Sequence, residues 1–476
     1  MNETSNSTTI GAAFKVVGGG TPATANLGFW NGGIPWATSA DLDDDLGIKP
    51  RKFITEDAVK SSATNLVPAG SVVVATRVGL GKVGVAPAEM AFSQDCQGVI
   101  VDPQTCDSRF VALQLKQRVQ IFKYVSRGTT ISGVTKKQLL DLPVELPSIA
   151  EQRRIVAEIE KQFTRLDAGV TALRRVQANL KRYRAAVLKA ACEGRLVPTE
   201  AELTRKKTPS PLAGEGGGEG ESYETGEQLL ARILADRRKN WLASAEQAGR
   251  HGRGKYKEPV APDTTNVPPL PEDWIWASPD QLSSAAAYAL AIGPFGSNLK
   301  VSDYTDAGVP LVFVRNIRSA QFGGERTVFV SASKANELRA HYVSAGEILV
   351  TKMGEPPGEA CLYPDSAPDA VITADCIKLR LAPILLQKRF FVHAINSEVV
   401  KPQIQLITKG VAQMKISLGR FSSLAIPMPP LAEQTRIVAE VERRLSVIEE
   451  QEAAVAVNLK RAARLRQSIL ARAFAG

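Results

Sequence analysis

The sequence predicts a mixed α/β protein in which two related globular α+β domains are each followed by one long helix. The main observation is an internal repeat: AEQRRIVAEIE at residues 150–160 returns as AEQTRIVAEVE at residues 432–442, with nine of eleven residues identical. Each copy lies in a run without proline, at 149–197 and 431–476, as a long helix requires. The chain therefore contains two copies of one domain-plus-helix unit.

Chain length and composition mark the boundaries between segments. At 476 residues the chain is too long for one hydrophobic core. The stretch at residues 204–221 is rich in glycine, proline and glutamate, which is typical of a flexible linker. We expect a first domain at 1–148, a long helix at 149–197, a linker at 198–267 with a short amphipathic helix at 224–247, a second domain at 268–430 and a second long helix at 431–476.

Both domains contain a β-branched segment that is interrupted by glycine, AGSVVVATRVGLGKVGVA at 69–86 and AGEILVTKMGEPPGEACL at 345–362. Each has the order Ala-Gly, an apolar run, threonine, a basic residue, one apolar residue and glycine. This order pairs Thr76-Arg77-Val78-Gly79 with Thr351-Lys352-Met353-Gly354. The two domains are therefore interpreted as diverged copies, while the helices that follow them remain similar.

Within each long helix, apolar residues recur every seven positions, as at the seam of a coiled coil. The seam positions are Ile159, Leu166, Leu173, Leu180 and Val187 in the first copy, and Val441, Ile448, Val455, Ala462 and Ile469 in the second. Two helices of equal length and matching register most simply pack on each other. The alternative is that each helix is amphipathic and lies on its own domain.

Overall composition restricts the class of protein. A net charge of +10 favours an anionic partner such as nucleic acid, although a basic isoelectric point is a weak indicator. Five unclustered cysteines without a CxxC pair argue against structural zinc and a disulfide framework. The first residues lack the pattern of a signal peptide, and no stretch approaches the roughly 20 apolar residues of a membrane span. We expect a cytoplasmic protein.

Motifs for catalysis are missing from the sequence. It has no phosphate loop of the GxxxxGK[ST] type and no [NDS]PP[YF] tetrapeptide of amino-methyltransferases. Its three histidines, His251, His341 and His393, have no metal-ligand neighbour at a suitable spacing. We therefore expect a recognition or scaffold protein that is not an enzyme by itself and binds no cofactor.

The order of the segments, together with several phrases, resembles the specificity subunit of type I restriction–modification enzymes over essentially the whole chain. The phrases are LPSIAEQRRIVAEIE at 146–160, PPLAEQTRIVAEVE at 429–442, LPEDWIW at 270–276 and KYKEP at 255–259. The resemblance implies two target-recognition domains that each read one half of a bipartite site in double-stranded DNA. It also implies that the two helices form an antiparallel coiled coil with pseudo-twofold symmetry. One departure is that the first domain lacks the LPxGW-like opening of the family, which the second has at 270–274.

The resemblance also implies partner proteins. Two modification (methyltransferase) subunits would dock on the helices, and restriction (translocase and nuclease) subunits would join through the complex. S-adenosylmethionine, ATP and magnesium are expected in those partner subunits. The remaining alternative is a non-enzymatic coiled-coil adaptor with two protein-binding heads, which would not retain DNA in a salt-sensitive manner.

Candidate DNA-binding residues are basic and amide side chains near glycine-containing loops, because these side chains read base edges and hold phosphates. The candidates are Arg77, Lys82, Lys136 and Lys137 in the first domain, and Asn298, Lys300, Arg315, Asn316, Lys352, Lys409, Gln413 and Lys415 in the second.

Candidate residues for contact with the modification subunit are charged and amide side chains that recur in both helix starts. We expect them on the exposed sides of the helices, where a solvated helix face is the simpler explanation for any one of them. They are Glu151, Gln152, Arg154 and Glu158 in the first copy, and Glu433, Gln434, Arg436 and Glu440 in the second.

Overall fold

The chain folds into two compact units, of which unit 1 consists of residues 1–176 and 454–476 and unit 2 of residues 177–453. Each unit contains one mixed α/β head and one part of each long helix. The predicted fold class is therefore confirmed. The computed structural model describes residues 6–125, 133–207, 223–247, 256–324, 327–410 and 414–474.

The head of unit 1 is built from short strands and a few helices. Its strands are β1 (Asn6–Thr9), β2 (Lys15–Gly18), β3 (Ile34–Ala37), β4 (Lys52–Ile54), β5 (Leu66–Val67), β6 (Val72–Ala75), β7 (Val83–Val85), β8 (Met90–Phe92), β9 (Cys96–Ile100) and β10 (Pro143–Leu146). Its α-helices are α1 (Ile10–Ala13), α2 (Glu56–Lys60), α3 (Ser108–Val125) and α4 (Lys136–Leu140).

Two four-stranded sheets form this head, in the orders β2-β9-β6-β7 and β4-β3-β8-β5. The first sheet is antiparallel throughout, whereas the second contains one parallel pair, β3 with β8. Every residue of the β-branched strand β6 is buried, because the run packs on both of its faces. A separate antiparallel pair, β1 with β10, joins the start of the chain to the strand that precedes the first long helix.

The helices between the two heads are α5 (Ile149–Cys192), α6 (Glu200–Lys207) and α7 (Gly226–Gln247). Helix α5 ends in a left-handed turn: Gly194 has a φ of +65°, and the N–H of Arg195 donates to the carbonyl of Ala190 at 2.9 Å. Helix α7 corresponds to the amphipathic helix that the sequence predicts at 224–247.

The head of unit 2 has more elements than the head of unit 1. Its strands are β11 (Ile275–Ala277), β12 (Leu290–Ile292), β13 (Tyr304–Thr305), β14 (Val309–Val312), β15 (Ile317–Arg318), β16 (Gln321–Phe322), β17 (Val328–Val330), β18 (Tyr342–Val343), β19 (Ile348–Thr351), β20 (Ala360–Leu362), β21 (Ala370–Ile372), β22 (Cys376–Leu379) and β23 (Ile426–Met428). Its helices are α8 (Pro279–Leu282), α9 (Ala332–Glu337), α10 (Lys388–Ile395), α11 (Lys401–Ile407) and α12 (Leu418–Phe421). The long helix α13 (Leu431–Ala473) follows this head in the chain.

The two heads share the order of eight strands. The order β12-β22-β19-β20 in unit 2 repeats β2-β9-β6-β7, and β17-β14-β21-β18 repeats β4-β3-β8-β5, including the central parallel pair. Unit 2 adds β13 at the edge of the second sheet, next to β17, and the separate pair β15 with β16. The pair β11 with β23 repeats β1 with β10. The edge strand that opens the first head is therefore present, although its sequence lacks the LPxGW-like opening.

In unit 1, the first part of α5 packs antiparallel to the last part of α13. Ile159 of α5 shares a buried apolar cluster with Leu470 of α13 and with Phe474, which directly follows that helix. Further along α5, the carboxylate of Asp167 accepts a hydrogen bond from Arg466 of α13 at 2.7 Å. The contacts therefore advance along α5 as they move back along α13.

In unit 2, the last part of α5 packs antiparallel to the first part of α13. Arg184 of α5 donates to the carboxylate of Glu452 at 3.1 Å. Just beyond the end of α5, the backbone N–H of Glu200 donates to the carboxylate of Glu433 at the start of α13, at 3.2 Å. In both units the long helices contact each other, so the alternative of two independent helices is wrong.

The predicted seam positions are turned away from solvent in both helices. Ile159, Leu180, Val187, Val441, Ile448 and Val455 are buried, and Leu166, Leu173, Ala462 and Ile469 are half-buried. Over the ranges that the structure describes, no helix is both long and apolar enough to cross a membrane.

Candidate functional site

The first basic cluster lies at the tip of the β6–β7 hairpin in unit 1. Arg77 is exposed and Lys82 is half-buried, and the turn between them contains Gly79 and Gly81, both with positive φ. The segment before α4 is held against this tip, because the N–H of Val134 donates to the carbonyl of Thr76 at 2.7 Å. The exposed side chains of Lys136 and Lys137 follow on α4.

The corresponding cluster in unit 2 is a small ladder that joins three predicted lysines. The backbones of Lys409 and Lys415 exchange two hydrogen bonds, of 2.9 and 3.0 Å, and both side chains are exposed. Lys415 also forms a bridge with Met353, next to Lys352. Gln413 lies outside the described residues, so its predicted role stays a prediction.

The structure corrects the alignment of the two tips. Ala75 pairs with Cys96 as Thr351 pairs with Cys376, so the strands align without a gap from their Ala-Gly starts. Lys352 therefore corresponds to Thr76, and the predicted pairing of the two threonines is wrong by one residue. Arg77 and Lys352 therefore occupy neighbouring positions of the shared fold, one residue apart, and not the same position.

A second set of predicted residues follows β12 in unit 2. Asn298 and Lys300 are exposed on a short turn after Phe295. The ammonium group of Lys352 lies 5.2 Å from the ring centroid of Phe295, and it donates to the carbonyl of Ala374 at 3.1 Å. Lys352 therefore contacts the turn through Phe295 and adjoins Met353, which pairs with Lys415 of the ladder.

Arg315 and Asn316 are adjacent in sequence but differ in role. Arg315 is exposed, and its guanidinium group stacks on the ring of Phe313 at 4.0 Å. Asn316 is buried, accepts from the N–H of Phe313 at 2.9 Å and donates to the carbonyl of Gly323 at 3.1 Å. The amide of Asn316 is therefore used within the fold, and its contact with DNA stays an untested prediction.

The repeated glutamine of each helix start is also structural. Gln152 and Gln434 are both fully buried, and each donates from its amide to a proline carbonyl five residues earlier, at 2.8 Å. Gln152 also accepts from the N–H of Asp107 at 2.8 Å. The expectation of an exposed position is wrong for both, because they fix each long helix to the strand that precedes it.

Glu433 is a further correction, since it is buried rather than exposed. Burial raises the pKa of its carboxyl to about 7, against the opposing effects of the Glu200 backbone N–H, the Trp274 indole and the Arg436 guanidinium. Arg436 is half-buried and pairs with the Glu200 carboxylate, so it also serves the fold of unit 2. The start of α13 is therefore covered by its own chain.

Other charges at the helix starts remain accessible. Arg154 and Glu158 are exposed, and Glu151 is half-buried and pairs with Arg154 at 2.6 Å, which lowers the pKa of the Glu151 carboxyl. In the second copy, Glu440 is half-buried and holds Arg443 and Arg444, which lower its pKa to about 2. The two helix starts therefore differ in what they present, in spite of their similar sequences.

An open groove of about 820 Å³ lies beside the first helix start in unit 1. Its floor is apolar and includes Ile155, Ile469 and Phe474, and its rim includes Arg154 and Glu158. Side chains at the groove remain partly accessible: Leu465 is 48% exposed.

The apolar floor of the repeat-related surface in unit 2 is covered, although Tyr183, the counterpart of Leu465, is 47% exposed. Ile437 and Val187, which correspond to Ile155 and Ile469, are buried in a cluster with Leu229 and Ile233 of α7. Trp274 belongs to the same cluster and contacts Phe390 edge-on at 6.4 Å. Helix α7 and the LPEDW segment thus cover in unit 2 what remains open in unit 1.

The described histidine, cysteine and acidic residues are not arranged as a metal site or an activated nucleophile. Within the described ranges, no group of three or more histidine, cysteine and acidic residues is placed to hold a metal ion. All five cysteines are free and buried, and burial raises the pKa of the Cys96, Cys192, Cys361 and Cys376 thiols to about 12. His393 is buried as well, and its pKa falls to about 4.

Known proteins share this sequence pattern. A family model described as the type I restriction modification DNA specificity domain matches residues 2–174 and 326–454, more than half of the chain. The type I restriction enzyme EcoR124I/EcoR124II specificity subunit of Escherichia coli is 29% identical over 182 residues, covering 37% of this chain and 45% of that protein. The type I restriction enzyme EcoKI specificity subunit of Escherichia coli strain K12 is 21% identical over 447 residues, covering 91% and 78%. The first of these alignments spans less than half of the relative's length.

A solved structure also shares the fold. It comes from work on complex assembly and conformational transition of the type I R-M system, and matches with a TM-score of 0.61 at 16% identity. The match covers 98% of this chain and 97% of that chain.

Proposed function

The chain belongs to the type I restriction–modification DNA specificity family, and from this premise we propose that it reads a bipartite site in double-stranded DNA for a type I complex. It is a specificity subunit and is not catalytic by itself. The site would be read by the two heads, with one half-site each. We further propose that it works in the cytoplasm, where its five free thiols stay reduced.

The observation that carries this proposal is the duplication of one fold with two different basic tips. Two heads of equal topology end in loops that present Arg77 in unit 1 and Lys352, Lys409 and Lys415 in unit 2. Equal folds can approach DNA in the same manner, while different side chains on the loops select different bases. The alternative of a purely structural adaptor gives no reason for lysines to gather at these tips.

Modification and restriction chemistry would belong to partner subunits. S-adenosylmethionine, ATP and magnesium would be bound there, and the specificity subunit would supply position and sequence choice. Two modification subunits would fit the duplicated architecture.

The open groove of unit 1 is our candidate for one of these contacts. Unit 2 fills the repeat-related surface with its own amphipathic helix α7, so the groove of unit 1 suits an amphipathic helix that a modification subunit supplies. The charged rim around Arg154 and Glu158 would fix the register of that helix. We propose Glu151, Arg154 and Glu158 as contact residues and retain Glu440 as a candidate on the second helix.

The test of function is to co-express the chain with the modification subunit encoded beside it and to map modified bases in the host DNA. Adenine methylation in a split motif, with two short half-sites around a fixed gap, supports the proposal. Methylation at an unsplit site contradicts the two-headed reading. A stable complex without new methylation and without salt-sensitive DNA retention favours the adaptor.

The groove is tested by Leu465→Glu, which places a charge on its apolar lining. Val457→Glu is the matched control, because Val457 lies on the same helix, is 64% exposed and does not line the groove. We expect native mass spectrometry to show that Leu465→Glu loses one modification subunit while the control retains its full complement. Equal stoichiometry in both variants would remove the groove from the interface.

A further inference from the structure

Phe295 is an aromatic side chain that the fold of unit 2 leaves in solvent. It is 63% exposed, although a phenylalanine ring gains roughly 1.5–3 kcal/mol from full burial. Phe295 was absent from the sequence-based candidates, which were limited to basic and amide side chains. The signal that could have found it is an aromatic residue next to glycine within GPFGSNLK.

The backbone, rather than side-chain packing, holds Phe295 in place. A Cβ on Gly293 would lie 2.1 Å from the backbone of Thr373, so glycine is needed where the loop crosses that strand end. Gly296 follows with a φ of +50°, and the N–H of Asn298 donates to the carbonyl of Phe295 at 3.1 Å. This short turn fixes the ring at a corner of the loop.

One basic side chain lies beside the ring. Lys352 lies 5.2 Å from its centroid, a geometry of cation–π attraction, and is itself tied to the carbonyl of Ala374. Lys352 is linked through Met353 to Lys415 and the ladder described above. An exposed ring beside a lysine, with further lysines linked to it through the backbone ladder, is a combination that nucleic-acid surfaces use, with cations on phosphates and the ring on bases.

The first head has no aromatic side chain at the equivalent position, which lies within the described residues. The N–H groups of Gly19 and Gly293 donate to Cys96 and Cys376 at the same distance, 3.2 Å, so these glycines are equivalent. Two residues later, Thr21 stands where unit 2 has Phe295. Its hydroxyl is bonded to the side chain of Gln94. The aromatic contact therefore distinguishes the two heads.

We propose that Phe295 makes an apolar contact with a base in the half-site read by unit 2 and thereby helps to determine the sequence of that half-site alone. Lys352 lies against the ring, and it and the neighbouring lysines hold the backbone of the same DNA segment. This inference rests on the proposed function, since it assigns one specificity-determining residue to one head.

The test uses the complex of the full chain with its modification subunit and a duplex that carries the methylated motif of the wild type. Phe295→Ala is compared with Tyr288→Ala, because Tyr288 is 61% exposed and lies at the opposite end of β12. We expect Phe295→Ala to weaken binding by about tenfold or more, and to relax base preference in one half-site only. Tyr288→Ala should match the wild type, and Phe295→Leu should restore part of the preference.

Salt dependence separates a base contact from a phosphate contact. Phe295→Ala should leave the dependence of affinity on salt unchanged, whereas the double change Lys409→Gln and Lys415→Gln should reduce that slope by about 2. A reduced slope in Phe295→Ala, or affinity and base preference equal to those of Tyr288→Ala, would overturn the inference while leaving the split-site function intact. Absence of a split methylated site in the wild type would instead overturn the proposed function and this inference with it.

Discussion

At the scale of single residues, the same residue type in the same repeated phrase can have different surroundings. Glu151 and Glu433 are repeat counterparts, yet the first pairs with Arg154 at the surface and the second is buried under its own chain. Their carboxyl pKa values move in opposite directions, down for Glu151 and up to about 7 for Glu433. The difference between the two pKa values is caused by burial, which cannot be read from the repeated phrase itself.

Glu433→Gln is therefore expected to remove a pH dependence of stability. The pKa of Glu433 is raised on folding, so its contribution is fully present below the unfolded value of 4.5 and is lost as the pH rises through about 7. The variant should gain stability over the wild type between pH 5 and pH 8, by roughly 1–3 kcal/mol. Urea unfolding at both pH values measures this, with Glu151→Gln as the repeat-related control. A difference that does not change with pH would contradict the assignment.

Asn316→Ala should affect stability rather than base reading. The change removes two hydrogen bonds of a buried amide, to Phe313 and Gly323, and should cost roughly 1–3 kcal/mol in the free energy of unfolding. Asn298→Ala, at an exposed neighbouring turn, should leave stability within about 0.5 kcal/mol. Thermal melts of both variants provide the comparison. A full-stability Asn316→Ala protein with altered base preference would return Asn316 to the DNA-contact set.

At the scale of elements, the repeated glutamines show how a sequence repeat can serve folding. Gln152 and Gln434 make the same amide-to-proline-carbonyl hydrogen bond of 2.8 Å, which joins a strand exit to a helix start. The occurrence of this glutamine in both copies is therefore explained by folding and does not require a partner protein that binds both copies. The two helix pairs differ in what packs on them. Helix α7 packs on the pair in unit 2, whereas the pair in unit 1 has an open groove.

The role of α7 as a cover can be measured by Leu229→Ala. Leu229 is fully buried between α7 and the long helices, so the truncation should leave a cavity and cost roughly 2–4 kcal/mol. Leu242→Ala on the same helix is the control, since that side chain is 49% exposed. Urea titration followed by tryptophan fluorescence, to which the nearby Trp274 contributes, reports on unit 2. Equal midpoints for the two variants would show that α7 is not part of the core.

At the scale of the whole molecule, one polypeptide contains two heads with the same strand order and two long helices that are shared between the compact units. The two units differ in which aromatic side chains pack against each other. Trp274 packs against Phe390 in unit 2, whereas Phe474 from the end of α13 packs against Phe110 at 5.4 Å in unit 1. Phe474 corresponds in the repeat to Cys192, so unit 1 has a large aromatic side chain at a position where unit 2 has a small one.

Exchange of residues 268–430 for the corresponding domain of another family member should change one half of the methylated motif. The other half and the length of the gap should be retained, because the first head and both long helices are unchanged. Mapping of modified bases in cells that express the hybrid complex gives the result directly. A change in both halves would contradict the assignment of one half-site to each head.

The sequence by itself determined the repeat, the positions of both long helices and their apolar seam, because these depend on local periodicity and on the absence of proline. It also predicted basic residues of both tips, since glycine and a cation in a β-branched segment are local features. Tertiary structure decided which polar residues are exposed to solvent. Asn316, Gln152, Gln434 and Glu433 were expected at the surface, but the folded chain buries them.

Tertiary structure also decided the register between the two heads and the place of Phe295. Backbone pairing aligns Lys352 with Thr76, which the sequence concealed because the run before the threonine is one residue shorter in the second segment. The sequence shows an aromatic residue beside glycine, and only the fold shows that its ring is exposed next to Lys352. The physical reason is the same throughout: periodicity and backbone restrictions act over a few residues, whereas burial and pairing depend on segments that are far apart in the chain.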